Sequence, residues 1–99
     1  MALRINPRLL NQSFDYYEFM DIDIWGKASY KDPLTIKNVR IDEGVNGIIF
    51  AYASEATPFI KFKRRSKVVT KNGTFIINKI VKINEPFEDK LWSVELELI

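Results

Sequence analysis

The sequence KVVTKNGTFIINKIVKI, residues 67–83, carries the strongest structural signal in the chain. Asn72-Gly73 lies between two β-branched runs, and both residue types tolerate the positive φ of a two-residue type I′ turn. This turn predicts an antiparallel hairpin in which Val69 faces Ile76. Because side chains alternate, one face is predicted to hold Val68, Thr70, Phe75, Ile77, Val81 and Ile83, and the other Val69, Ile76 and Ile80. Since both faces are apolar, the hairpin must be the inner part of a larger sheet or closed barrel.

The composition is that of one folded domain covering residues 1–99. Of the 99 residues, 46% are hydrophobic and 13% aromatic, which is typical of a globular protein. No apolar run approaches the roughly 20 residues that span a bilayer, and the N-terminus lacks a signal-peptide pattern. We therefore expect a soluble protein with no membrane partner, which stays in the compartment where it is made.

The chain contains no cysteine and no histidine. Disulfides, thiolate zinc sites and cysteine nucleophiles are thereby excluded. The commonest general base and the commonest transition-metal ligand are also missing, so that carboxylates are left as the obvious catalytic groups. We expect no enzyme activity and no cofactor.

Charge is segregated along the chain, although the net charge is only +2. Residues 56–84 contain eight basic residues and no acidic one, while the rest holds seven basic and thirteen acidic residues, a net of −6. Such segregation of charge bears on which partners the chain binds rather than on its fold.

Further extended segments are expected on both sides of the hairpin. Leu34 and Ile36 fall on even positions but Val39 and Ile41 on odd ones, which predicts a β-bulge near Lys37-Asn38. Strands are also predicted at 14–19, 27–30, 48–53, 59–63 and 91–99, and Trp92, Val94, Leu96 and Leu98 are predicted to point inward. Residues 1–13, with four leucine or isoleucine residues, are predicted to form an N-terminal arm that packs on a surface such as a neighbouring subunit. Six or seven short, mostly antiparallel strands without a helical pattern predict an all-β fold, either a small β-barrel or a two-layer sandwich.

A dense basic cluster is the first candidate site. It contains Lys61, Lys63, Arg64, Arg65, Lys67 and Lys71, with Phe59 and Phe62 interleaved. Cations in this density are typical of phosphate contacts that ignore nucleic-acid sequence, and aromatic rings can stack on bases. Phe62 has inward parity, however, and a strand edge guarded by lysines against aggregation explains the alternation as well. An acidic protein surface would also suit the cluster, since charge alone does not separate these partners.

The acidic residues give weaker signals. Residues 21–26, DIDIWG, with Asp32 partly copy a calcium loop, but Trp25 occupies a ligand position and no flanking helices are expected. We interpret this segment as an acidic turn and predict no metal site. Glu95 with Glu97, and Glu88 with Asp89, are interpreted as exposed charges. No catalytic or cofactor-binding residue is predicted.

The order of short motifs along the chain resembles one known family. The motifs are Pro7 with Leu9-Leu10, the pattern D-x-W-G-K-x-x-Y at 23–30, TIKNVRID at 35–42, KVVTKNGTFIINKI at 67–80 and LWSVELELI at 91–99. This succession is similar to the minor capsid proteins of tailed-bacteriophage and prophage head genes, which resemble the head-completion, or stopper, proteins of long-tailed phages. The chain departs from the family pattern at Arg65-Ser66, where Gly-Asp is expected, and in the compact segment 43–58.

The resemblance implies a structural protein of the head–tail connector, built on a small β-barrel. Such a protein forms a ring, a dodecamer in the virion, below the portal and adaptor proteins, retains packaged DNA and docks the tail through a tail-completion or tail-terminator protein. Before assembly it would be in the host cytoplasm. The segregated charges could supply the two complementary surfaces of a head-to-tail ring, and a basic loop could lie against packaged DNA.

A loop that becomes ordered on assembly is expected within the glycine-flanked segment 43–58. Its candidate residues are Glu43, Gly44, Val45, Asn46, Gly47, Ser54 and Glu55. The alternative function is a small β-barrel module that binds nucleic acid through the basic cluster at 61–71.

Overall fold

The structure, a computed structural model, describes residues 10–42, 47–87 and 90–99. Its eight strands are β1 (Gln12–Tyr17), β2 (Phe19–Ile22), β3 (Ala28–Tyr30), β4 (Leu34–Asp42), β5 (Ile48–Tyr52), β6 (Lys67–Thr70), β7 (Gly73–Asn84) and β8 (Leu91–Leu98). Six of them close an antiparallel barrel in the order β1-β4-β5-β8-β7-β6, and β2 pairs with β3 in a separate two-stranded sheet. The all-β prediction is confirmed, and the barrel rather than the sandwich is correct. The described residues include no helix that could cross a membrane.

The barrel interior is filled by alternate side chains from every barrel strand. Val94, Leu96 and Leu98 of β8 are buried, as their alternation predicts, while Trp92 is half-buried. The buried cluster comprises Phe14, Tyr16, Ile36, Val39, Ile49, Ala51, Ala56, Phe62, Val68, Ile77, Val94, Leu96 and Leu98. Full burial of each large apolar side chain contributes about 1.5–3 kcal/mol, so this single core supplies the main driving force for folding.

The predicted bulge in β4 is confirmed. Phe14 of β1 lies opposite Ile36, but Gln12 lies opposite Val39, so that three steps on β4 match two steps on β1. Asn38 absorbs the extra residue with a φ of 60°. Both Ile36 and Val39 consequently point inward and are fully buried.

A second bulge, in β7, was not predicted. Ile77 lies opposite Leu98 and Lys79 opposite Glu97, which leaves Asn78 as an extra residue. Beyond this bulge the inward-facing positions of β7 change from odd-numbered to even-numbered residues. Ile80 therefore packs against the core, opposite Leu96. The prediction that Ile80 lies on the other face from Ile77 is wrong, as is the placement of Val81 and Ile83 with Ile77.

The turn of the β6–β7 hairpin lies one residue earlier than predicted. Thr70 pairs with Gly73 and Val69 with Thr74, so the turn residues are Lys71 and Asn72. The Thr70 hydroxyl accepts the Asn72 N–H at 3.1 Å, a local bond typical of serine and threonine turns. Gly73 takes the left-handed conformation, with a φ of 139°. The pairing register differs from the predicted one by two residues. Because side chains alternate, an even shift leaves Val68 and Phe75 on the same face.

Residues 59–63 do not form the predicted strand. They belong to the irregular connection between β5 and β6, which contains a cis peptide bond at Thr57-Pro58. Phe62 is buried, as its inward parity predicts, and Ile60, which has the same parity, packs against the core; Phe59, which has the opposite parity, packs against the core as well. In a strand, Phe59 would point away from Ile60 and Phe62. Contact of all three side chains with the core therefore requires irregular backbone.

The predicted N-terminal arm is too long at its C-terminal end. Gln12 and Ser13 belong to β1, and Leu10 is buried. Residues 1–9 of the arm lie outside the described residues. The predicted strand 14–19 is divided, because β1 ends at Tyr17 and Phe19 begins β2, which leaves the barrel.

Candidate interaction surface

A buried polar junction joins three segments of the chain beneath the basic cluster. The phenol oxygen of Tyr16 accepts the backbone N–H of Lys63 at 2.7 Å and the hydroxyl of Ser66 at 3.1 Å. The Ser66 oxygen in turn accepts the backbone N–H of Phe19 at 3.0 Å. Ser66 is fully buried and Tyr16 almost so. These hydrogen bonds therefore join the irregular β5–β6 connection and the start of β2 to β1.

Burial raises the pKa of the Tyr16 phenol, although its hydrogen bonds with Ser66 and Lys63 act in the opposite direction. Burial disfavours the phenolate because a charged oxygen loses its hydration there. The phenol is consequently neutral at physiological pH and serves as a structural acceptor.

Aromatic side chains hold two of the cluster lysines in place. The Lys67 ammonium lies 4.3 Å from the ring centroid of Tyr17 and 5.1 Å from that of Tyr30. The Lys63 ammonium lies 5.5 Å from the centroid of Phe19. Cation–π contacts at exposed sites contribute about 0.5–1 kcal/mol each. These contacts fix the two ammonium groups on the side of the barrel where the β2–β3 hairpin leaves it.

The acidic residue beside these lysines is engaged by another cation. Glu18 forms an ion pair with Lys31 at 2.8 Å, and its carbonyl accepts the Lys31 N–H at 2.9 Å. The hydrogen bond lowers the pKa of Glu18 and raises that of Lys31. Glu18 is therefore ion-paired with Lys31, and the charge of Lys63 lowers the pKa of Glu18 only as a smaller contribution.

The structure divides the predicted basic cluster into three parts. Lys63, Arg64, Arg65 and Lys67 surround the Tyr16 junction, and we call these four residues the basic surface; Lys67 is half-buried and the other three are exposed. Arg64 donates through Nε to the Asn78 carbonyl at 2.9 Å. Lys71 lies in the β6–β7 turn, at the other end of β6, roughly 13 Å away at the usual strand rise. Lys61 lines a groove described below.

The interpretation of these cations as guards of a strand edge is wrong. Residues 61–65 are not in a strand, and β6 pairs on both sides, with β1 and with β7. The basic surface therefore has no edge to protect in the described barrel, and its charge is available for a partner.

The candidate mobile loop is only partly covered by the structure. Glu43, Gly44, Val45 and Asn46 lie outside the described residues. The Gly47 carbonyl accepts the Leu98 N–H at 3.2 Å. Ser54 and Glu55 belong to a turn after β5, in which the Tyr52 carbonyl accepts the N–H groups of Glu55 and Ala56 at 3.0 and 2.9 Å. Ordering of this loop on assembly stays a prediction.

The acidic turn at 21–26 forms the tip of the β2–β3 hairpin. One carboxylate oxygen of Asp23 accepts the N–H groups of Trp25 and Lys27 at 2.9 and 2.8 Å, so this aspartate closes the turn. Within residues 10–42, 47–87 and 90–99, no group of three or more acidic side chains is placed to hold a metal ion. The turn instead presents Ile24 and Trp25 to solvent, with 88% and 83% of their surfaces exposed.

The exposed apolar tip was not predicted, because residues 21–26 were interpreted only as an acidic turn that partly copies a calcium loop. The signal was present, since two large apolar residues stand between an aspartate and a glycine in a predicted turn. Met20 and Ile22 of β2 extend the same exposed apolar surface.

A shallow groove lies on the barrel between the irregular connection and the β7–β8 pair. Its volume is about 250 Å³, and its lining is apolar apart from two lysines. The lining residues are Phe59, Ile60, Lys61, Phe62, Ile80, Lys82, Leu91 and Val94. The volume is below the roughly 300–1,000 Å³ of small-molecule pockets, so the groove suits a side chain better than a cofactor.

Comparisons with known proteins give one match. Neither the curated proteins nor the solved structures include a chain that matches this one. The family model described as minor capsid protein matches residues 7–98, which is nearly the whole chain and confirms the resemblance seen in its motifs. The chain, an all-β barrel, therefore belongs to the minor capsid protein family, whose members are structural components of the virion.

Proposed function

We propose that this chain is a subunit of the head–tail connector of a tailed phage or prophage. In this role it assembles as a ring below the portal and its adaptor, retains the packaged DNA and provides the docking platform for the tail. Membership of the minor capsid protein family supports a structural role in the virion. The observation that carries the finer assignment is the basic surface, which is anchored to the barrel and has no edge-guarding role.

Anchoring matters because a connector must hold a charged surface in a fixed position. The Tyr16 junction bonds the backbone at Lys63 and the side chain of Ser66, and the rings of Tyr17 and Tyr30 contact the Lys67 ammonium. Cations held in this way neutralise phosphates without reading base sequence. Contacts of this kind would suit the retention of packaged DNA whatever its sequence.

Charge segregation supports assembly into a ring. A ring whose subunits contact head to tail needs two different, complementary surfaces on each subunit. The stretch 56–84 carries eight basic residues and no acid, and the remainder carries a net of −6. Opposite charges on adjacent subunits would favour one order of contact and oppose the reverse.

The test is assembly of particles from heads that lack this chain. We expect heads filled with DNA but without the chain to lose their DNA and fail to join tails, and purified chain to restore both. Electron microscopy of the restored particles should show the chain as a ring next to the portal and adaptor. Location of the chain in the capsid shell or in the tail would refute the connector assignment, even though it would agree with the family.

A matched pair of variants tests the basic surface within the same assay. Lys63→Glu/Arg64→Glu/Arg65→Glu should fail to retain DNA. Lys37→Glu/Arg40→Glu/Lys90→Glu, which changes the net charge equally at exposed basic residues elsewhere, should restore particles as the wild type does. Equal failure of both variants would show that net charge, rather than this surface, matters.

The second candidate function is a module that binds nucleic acid in its own right. The rings of Tyr17, Phe19 and Tyr30 lie beside the lysines of the basic surface, and aromatic rings next to cations are typical of single-strand binders. Tight binding of single-stranded nucleic acid by the isolated chain, with no effect of the chain on particle assembly, would favour this candidate.

A further inference from the structure

The tip of the β2–β3 hairpin has the properties of an anchor. Ile24 and Trp25 are almost fully exposed, yet the Asp23 carboxylate closes the turn beneath them with two backbone hydrogen bonds. The tip is therefore apolar and held in shape. Tryptophan is among the residues that most often dominate binding at protein interfaces, and burial of its side chain removes a large apolar area from water.

The groove has the properties of a receptor for such an anchor. It is lined by Phe59, Ile60, Leu91 and Val94 and has room for about one large side chain, at about 250 Å³. Trp25 does not fill the groove of its own subunit, because 83% of its surface is exposed. Trp25 is consequently available to the groove of another molecule.

The charges around the two surfaces are opposite. Asp21 and Asp23 precede the tip and Lys27 follows it, a net charge of −1, while Lys61 and Lys82 line the groove and no acidic residue does so among the described residues. Attraction of this kind selects a partner and fixes its orientation. Since both halves of this complementary pair belong to one chain, a second copy of the chain is the partner that they fit.

We infer that the hairpin tip of one subunit inserts Trp25 into the groove of the next, with Ile24 against the rim of that groove. The contact is heterologous, because it joins two different surfaces, and repetition of it generates a ring or a filament. This inference rests on the proposed connector function and deepens it, since it names the surfaces through which the ring subunits meet.

Two variants with separate defects test the contact. Trp25→Ala removes the anchor but keeps the groove, and Lys61→Glu/Lys82→Glu reverses the groove charges but keeps the tip. All three side chains are exposed, so both variants should fold. Each variant alone should be monomeric by light scattering, and their mixture should form one-to-one dimers and nothing larger, because only one working tip can meet one working groove.

Nuclear magnetic resonance of the mixture detects the contact even where it is weak. With Trp25→Ala isotopically labelled, addition of the unlabelled groove variant should shift the amide signals of 59–62, 80–82 and 91–94. With the labels exchanged, the signals of 20–26 should shift. Ile99→Ala and Lys37→Glu, an exposed apolar and an exposed basic residue outside both surfaces, should leave wild-type self-association unchanged.

The outcomes separate this inference from the connector function. Absence of shifts at high concentration, or shifts at other residues, would overturn the contact. Restoration of particles by Trp25→Ala at the wild-type level would overturn it too, while leaving the connector function intact. Self-association that is lost in Trp25→Ala and the groove variant, in a chain located elsewhere in the virion, would support the contact and refute the connector function.

Discussion

The hydroxyl of Ser66 donates to the phenol oxygen of Tyr16 at 3.1 Å, across 50 residues of sequence. Ser66 lies between Arg65 and Lys67 of the basic surface. Tyr16 lies near the end of β1, and its ring makes a T-shaped contact with that of Phe62 at a centroid distance of 5.2 Å. One hydrogen bond therefore couples the apolar core to the position of the basic surface. A change at either residue should affect both stability and the binding surface.

Ser66→Ala tests this coupling. The substitution leaves the Phe19 N–H without its acceptor and removes one donor from Tyr16. An unsatisfied buried polar group costs about 1–3 kcal/mol, and we expect a loss of this size in urea unfolding. Faster hydrogen exchange at the Phe19 amide should accompany it. Ser54→Ala, at an exposed serine, is the control, and equal stability of the two variants would contradict the role of the junction.

The raised pKa of Tyr16 predicts that the folded state loses stability at alkaline pH. Burial raises its pKa above the ordinary value of 10.0, so the folded state keeps the phenol proton at a pH where the unfolded state releases it. Stability from this group is fully present below the unfolded pKa and falls as pH rises through the folded pKa. Tyr16→Phe should cost about 1–3 kcal/mol at neutral pH, because the Lys63 N–H loses its acceptor.

The difference in unfolding free energy between wild type and Tyr16→Phe should consequently shrink above about pH 10. Urea unfolding of both proteins across this range measures it, and an ultraviolet titration of the phenol follows the proton directly. A difference that stays constant from neutral to alkaline pH would show that burial does not hold the proton.

The sequence predicts the all-β fold, although not the choice of a barrel over a sandwich, because the alternate apolar residues of a strand are the ones that become buried. The change of phase between Ile36 and Val39 locates the β4 bulge, since both residues must face inward. A similar change of phase between Ile77 and Ile80 locates the β7 bulge. It was not predicted, because regular alternation was assumed along the whole second strand of the hairpin. Alternation fails at 59–63, because an irregular segment can bury adjacent apolar residues where a strand cannot.

The site is less predictable than the fold. Charge density locates the basic cluster along the chain, but its division in space depends on β6, which separates Lys67 from Lys71. The bond between Tyr16 and Ser66 carries no local signal, because only the barrel brings these residues together. The apolar pattern also leaves the position of the hairpin turn ambiguous. A turn at Lys71-Asn72 and a turn at Asn72-Gly73 both place the same side chains inward.

The β4 bulge depends on an asparagine at position 38. Its φ of 60° is left-handed, where β-branched residues are strongly disfavoured. Asn38→Val should lower the unfolding free energy by about 1–2 kcal/mol relative to Asn38→Gly. Both variants lose the side-chain bond to Thr57 at 3.4 Å, so the comparison isolates the backbone effect. Thermal or urea unfolding measures it, and equal stability would mean that the bulge relocates at little cost.

The last prediction concerns DNA binding by the basic surface. Phosphate contacts release counterions, so the logarithm of the association constant should fall linearly with the logarithm of salt concentration. Filter binding to DNA of unrelated sequences should give the same slope for each. Lys63→Glu/Arg64→Glu/Arg65→Glu should reduce the slope by about one for each residue that contacts a phosphate.

Lys37→Glu/Arg40→Glu/Lys90→Glu makes the same change in net charge and should keep the wild-type slope. The contrast is decisive because long-range attraction depends on total charge, whereas the slope counts local phosphate contacts. If both variants reduce the slope equally, DNA is attracted by the chain as a whole and the basic surface has no special part in holding it. If neither does, the four cations around Tyr16 contact an acidic protein partner instead.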